Sequence, residues 1–136
     1  SGVVEVNRPQ LLQVLINLMV NAAHAVNNNG RIWVRAYDWL EDGQSIGVKI
    51  EVEDEGVGIS KEDLSRIFDP FYTTRKDGTG LGLSLSYGII KRLGGTIEVK
   101  STLGVGTVFT IGLYHKAKED QQVGPYDGLQ FGDKTS

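Results

Sequence analysis

The sequence predicts an α+β fold: a two-layer α/β sandwich, with a mixed, mostly antiparallel sheet carrying its helices on one face. Three observations predict it. Two long segments repeat apolar residues with helical period and end in Asn or Gly. Two pairs of alternating segments are each joined by a short turn. The resulting order, α-β-β-α-α-β-β, puts helices and strands into separate layers.

The elements follow in chain order. Asn7 caps a first helix with Pro9 in its opening turn, running to about Asn27 before Asn28-Asn29-Gly30 ends it. From Arg31 to Trp39, Ile32, Val34 and Ala36 alternate with Trp33, Arg35 and Tyr37, a half-buried strand. Glu41-Asp42-Gly43-Gln44 turns into a strand over Gly47 to Glu53. Ser60-Lys61-Glu62-Asp63 opens a short helix to about Phe68. A second long helix covers Leu81 to Leu93, closed by Gly94-Gly95. Thr96 to Ser101 and Thr107 to Tyr114 form a second hairpin. Residues 1–115 are expected to make one domain, and 116–136 a polar tail or linker that is disordered.

Composition narrows the function. The chain has 136 residues and no cysteine, which excludes a disulfide scaffold, a thiol nucleophile and thiolate metal sites. Its net charge of -3 offers no field for nucleic acid. No apolar run approaches the roughly 20 residues of a membrane span, so no direct membrane contact is expected. Glycine is abundant, 18 residues against three prolines, as suits loops that lay backbone close to a ligand.

Four segments carry chemistry. The first helix bears Asn17, Asn21, His24 and Asn28 on one stripe, extended by Gln10 and Gln13. The stripe is either a solvated face or a site that coordinates an anion without repelling it. An amide oxygen suits Mg²⁺ completed by phosphates. Asp54 continues the inward phase of Val48, Ile50 and Val52, so its carboxylate points to the core and needs a donor, such as an adenine amino group. Gly56 and Gly58 would let a flat base lie close; an ordinary turn has the same composition. Gly78-Thr79-Gly80-Leu81-Gly82-Leu83 leads into the second long helix, whose N-terminus favours phosphate. It lacks the Gly-Lys-Ser/Thr of a P-loop. In Gly104-Val105-Gly106-Thr107-Val108-Phe109, the Thr107 hydroxyl faces the core and wants a partner.

Together with Phe68-Asp69-Pro70-Phe71, these motifs resemble, in order, the catalytic ATP-binding (HATPase, GHKL) domain of two-component sensor histidine kinases, most of all the nitrogen-regulatory type. The resemblance spans about residues 5–114. It implies the Bergerat fold with ATP and Mg²⁺ as cofactors. It implies Asn21 as the metal ligand and Asn17 near the phosphates, Asp54 on the adenine amino group, and Thr107 on the base. Gly56, Gly58 and Ile59 would shape the base pocket, and Thr79, Gly80, Leu81, Gly82 and Leu83 would enclose the phosphates. His24, Arg75 and Lys76 are further phosphate-positioning candidates. Neither His24 nor His115 suits the phosphoacceptor. The resemblance therefore implies the catalytic domain of a larger kinase, with a dimerisation domain of the same parent as acceptor, a response regulator downstream, and a cytoplasmic location under a parent that can be membrane-anchored. Two rival readings stay open: another protein of the same fold, such as a gyrase-, chaperone- or mismatch-repair-type ATPase or a serine kinase acting on a protein partner, and a non-catalytic nucleotide-binding module.

Overall fold

The computed structural model describes residues 7–27, 29–70, 72 and 82–115. The tail, residues 116–136, lies outside them.

Helix α1 (Arg8–Val26) begins where the Asn7 side chain accepts the Gln10 N–H at 3.1 Å, and stops at Asn27, which adopts φ 49° and ψ 49°. Val14, Leu18, Ala22 and Val26 are buried at four-residue spacing, forming one stripe against the sheet. Strands β1 (Ile32–Glu41) and β2 (Gln44–Asp54) are joined by the two residues Asp42 and Gly43, both at positive φ. Asp-Gly is a favoured pair for that turn because its twist matches the strands it joins. Pairing therefore continues to Glu41 opposite Gln44, and both strands outlast the predicted spans. A register shift between Trp39 and Leu40 accommodates one extra residue on β2.

Helix α2 (Lys61–Leu64) is capped by Ser60 and is shorter than predicted. Bonds from Arg66 N–H to Asp63 and from Asp69 N–H to Arg66 tighten the chain into turns, as Pro70 removes Asp69 from helical geometry. Helix α3 (Gly82–Arg92) ends at Gly94 (φ 77°), and Gly95 N–H returns to Ile90 O at 2.9 Å. Strands β3 (Thr96–Thr102) and β4 (Gly106–Tyr114) close the sheet, whose order is β1-β2-β4-β3. All three described ladders are antiparallel.

The two long helices lie side by side on one face, α1 against β2 and β4, α3 against β3. The core joins the α1 stripe to Ile89 and Ile90 of α3 and to Val52, Ile97, Phe109, Ile111 and Leu113 of the sheet. The half-burial expected for β1 does not hold. Ile32 and Val34 have the predicted inward phase, opposite Asp54 and Val52, yet Val34 is 53% exposed. β1 is the sheet edge beyond α1, and alternation along a strand carries no information about how far the helix layer reaches. On the opposite face Arg35 pairs with Glu51 and Glu53, and Tyr37 donates to Glu51 at 2.7 Å. Such exposed pairs add little stability.

Leu18→Ala is expected to cost about 2–5 kcal/mol in urea unfolding, the usual price of a large-to-small change at a fully buried site. Leu12→Ala, at 56% exposure on the same helix, is expected to cost well under half as much. Equal losses would contradict the orientation of α1.

Candidate functional site

A cleft of about 250 Å³ opens between α1, the start of α3 and the β2–β4 end of the sheet. Its floor is Asp54, placed inward by the period of β2 and only 5% exposed. Burial raises the Asp54 carboxyl above its usual range, against hydrogen bonds from the backbone of Gly56 and Thr107 that pull it down. Gly56 N–H donates to Asp54 Oδ1 at 2.9 Å. A Cβ at Gly56 would sit 2.5 Å from the Ala25 carbonyl, so only glycine lets this turn close against the end of α1. Gly56 thus supports the floor from behind, whereas Gly58 and Ile59 line the cleft.

Thr107, opposite Asp54 on β4, is also buried and lines the cleft. Its Oγ1 lies 2.7 Å from Ser101 Oγ on β3. Ser101 Oγ also receives the Ile59 N–H at 2.7 Å and donates to the Gly106 carbonyl at 3.0 Å. Ser101 was not singled out in the sequence. The signal was available, since it continues the inward phase of Ile97 and Val99 as a polar residue at a core position.

The amide stripe of α1 divides in two. Asn21 and His24 line the cleft. Asn17 is engaged elsewhere: its Nδ2 donates to Gly82 O at 3.1 Å and to the buried Ser86 Oγ at 3.2 Å, while its Oδ1 accepts from Gln13 at 3.0 Å. Asn17 therefore ties α1 to the first turn of α3. Gly82 and Leu83 reach the cleft at the N-terminus of α3. Thr79, Gly80, Leu81, Arg75, Lys76, Asn28 and Phe71 lie outside the described residues. Ala25, Asp63, Ile67, Tyr72 and Phe109 also line the cleft. For Asp63, Ile67 and Tyr72 the residue patterns gave no reason to place them there, because α2 and the turn after it are brought over by packing. Phe68 packs on Tyr87 and Phe109, with ring centroids 5.1 and 6.4 Å apart.

The donors present fit a nucleotide. A buried carboxylate offers lone pairs to an amino group, apolar walls suit a flat base, and the N-terminus of α3 faces the same cleft. They also fit a hard cation bound mainly by phosphates, since Asn21, which lines the cleft, carries an amide oxygen. Among the described residues no cluster of three or more His, Asp or Glu could hold a metal alone. Among them, too, no helix is long and apolar enough to cross a membrane.

Comparison with known proteins agrees with this geometry. The family described as "Histidine kinase-, DNA gyrase B-, and HSP90-like ATPase" matches residues 6–117. Sensor histidine kinase ZraS of Salmonella typhi is 46% identical over 110 residues, which is 81% of this chain and 23% of that protein. Signal transduction histidine-protein kinase AtoS of Escherichia coli (strain K12) is 40% identical over 108 residues, 79% of this chain and 17% of that one. The chain spans about a quarter of the length of the first of these. Among solved structures, a nucleotide-free catalytic domain of histidine kinase ThkA superposes with a TM-score of 0.71 at 38% identity, covering 82% of this chain and 70% of that one. With motifs, topology and cleft in agreement, the chain belongs to the histidine kinase-, DNA gyrase B- and HSP90-like ATPase family, as a catalytic domain of the histidine-kinase type.

Proposed function

We propose that this domain binds ATP with Mg²⁺ and presents the γ-phosphoryl group to a histidine on the dimerisation domain of the same parent kinase. The observation that carries this reading is the buried Asp54 carboxylate on the floor of a cleft that also holds Asn21 and the N-terminus of α3. Asp54 accepts a hydrogen from the adenine amino group. Asn21 offers its amide oxygen to the metal. The first turn of α3 directs the positive end of its helix dipole toward phosphate. When bound, the metal neutralises charge on the phosphates; the protein contributes position and exclusion of water.

His24 stands exposed where the cleft is lined by α1 and is a phosphate-positioning candidate, as are Arg75 and Lys76. Thr79, Gly80 and Leu81 belong to the same phosphate-enclosing segment in this reading. His115 packs its Nε2 3.0 Å from Ser45 Oγ, and Ser45 belongs to the β1–β2 turn end of β2 rather than its Asp54 end. The acceptor histidine accordingly belongs to another domain, and a response regulator is the downstream partner. Relatives named as sensor histidine kinases support this, and their greater length leaves room for that domain. A cytoplasmic location for this part of a parent kinase fits the same reading, as does a linker role for residues 116–136.

The decisive experiment supplies the dimerisation domain of the parent kinase with this chain and γ-labelled ATP. Acid-labile phosphohistidine on the supplied domain is expected. ATP hydrolysis without transfer would favour another ATPase of the family.

Three variants probe the parts. Asp54→Asn is expected to weaken ADP binding about 10- to 100-fold, the worth of one charge-assisted hydrogen bond; calorimetric affinity near wild type would overturn the assignment. The same variant, without nucleotide, is expected to melt no lower than wild type at pH 7, because burial raises the carboxyl pKa and the ionised group costs stability. On acidification the folded state takes up this proton before the unfolded state does, so any advantage of the variant shrinks as pH falls through the raised pKa. Thermal melts from neutral pH downward check the sign. Asn21→Ala is expected to abolish the Mg²⁺ dependence of ATP affinity; unchanged dependence would mean another ligand. Removing residues 121–136 is expected to leave Tm within about 2 °C, and a large drop would mean that the tail docks on the core.

A further inference from the structure

Ser101 makes three contacts through one oxygen, and their chemistry fixes a proton. A hydroxyl has one hydrogen to give and two lone pairs to accept with. Ile59 N–H can only donate, so it takes one lone pair of Ser101 Oγ at 2.7 Å. The Gly106 carbonyl can only accept, so at 3.0 Å it takes the single Ser101 proton. The remaining contact, 2.7 Å to Thr107 Oγ1, then requires Thr107 to donate to Ser101. The opposite arrangement would leave two oxygens 3.0 Å apart with no hydrogen between them. Thr107 is buried, so loss of the Ser101 partner would be costly for its hydroxyl.

The consequence reaches the cleft. With its proton spent on Ser101, Thr107 shows only lone pairs to a ligand. Asp54, opposite it across the β2–β4 ladder, is likewise an acceptor when ionised. The floor of the cleft is therefore acceptor-only. At position 6 a 6-aminopurine brings two N–H hydrogens to such a floor, whereas a 6-oxopurine brings lone pairs there and only a single ring N1–H beside them.

We propose that Ser101 is a specificity-determining positioning residue: by holding the Thr107 proton through its bonds to Ile59 and Gly106, it sets the cleft to accept 6-aminopurine nucleotides and reject 6-oxopurine ones. This rests on the nucleotide reading above and adds to it the residue that sets the polarity of the pocket. Ser101 acts through Thr107 and need not touch the base.

The test is calorimetric titration of the whole chain with ADP and with IDP, which differ at the 6-position. Wild type is expected to favour ADP. Ser101→Ala releases the Thr107 proton, which can then be offered to a 6-oxo group. The ADP-to-IDP affinity ratio is expected to fall about fivefold or more, the worth of one neutral hydrogen bond. Ser101→Thr keeps the hydroxyl and is expected to keep the ratio. Thr107→Val removes the group through which Ser101 acts. It should lower the ratio similarly, and the double variant Ser101→Ala/Thr107→Val should lower it no further. Equal loss of ADP and IDP affinity in Ser101→Ala, or additive effects in the double variant, would overturn the proposal while leaving the nucleotide reading intact. A wild type that binds neither nucleotide would overturn both. Should Ser101→Ala fail to fold, NMR of the wild type decides. A slowly exchanging Thr107 hydroxyl proton with a cross-peak to the Ser101 methylene is expected; a Ser101 hydroxyl proton directed at Thr107 would refute the assignment.

Discussion

A carboxylate buried at the end of a core strand must be answered by donors or it will not stay ionised, and much of this domain is arranged around that demand. Asp54 closes β2, and the chain turns at once so that Gly56 can donate to it. That turn is tied down on three sides. Val57 N–H bonds to Ala25 O at the end of α1, Glu55 N–H to Arg31 O before β1, and Gly104 N–H to Val57 O from the β3–β4 turn. The Glu55 carboxylate in turn receives the Arg31 backbone N–H at 2.6 Å. Backbone from neighbouring segments thus anchors the turn beside Asp54, while the side chain itself has backbone donors only in Gly56 and Thr107, which leaves lone pairs for a ligand.

The helix layer serves the same place from above. α1 spends one stripe on the core and the adjoining one on the cleft, so its rotation about its own axis is fixed by both at once. The clasp of Asn17 on Gly82 and Ser86 links that rotation to the start of α3. Two helices far apart in sequence therefore hold a common position over the sheet, and the amide four residues further along, Asn21, meets the cleft as a result.

The legible part of this fold was local. Asn7, the Asp42-Gly43 turn and Gly94 mark element ends by chemistry that acts within a few residues, and a period of two was enough to turn Asp54 and Thr107 inward. What was not legible depends on distance in the chain. Nothing in the pattern of α1 says that Asn17 will be claimed by a helix sixty-five residues away, leaving Asn21 to the cleft. Nothing in the alternation of β1 says that the helix layer stops short of it, which leaves Val34 exposed. Ser101 falls between these cases. Its inward phase was readable, but its importance comes from three partners supplied by a loop, a turn and a neighbouring strand.

The aromatic residues of the sheet have an optical consequence. The sequence has two tryptophans, and both belong to the face turned away from the cleft. Trp39 packs on Tyr114, ring centroids 4.6 Å apart, beneath the Lys49 ammonium; Trp33 lies under the Arg31 guanidinium. Intrinsic emission excited at the indole band therefore reports the integrity of the sheet, since neither indole lines the cleft. A melt followed by tryptophan emission would read the far face of the sheet, opposite the one that carries the helices.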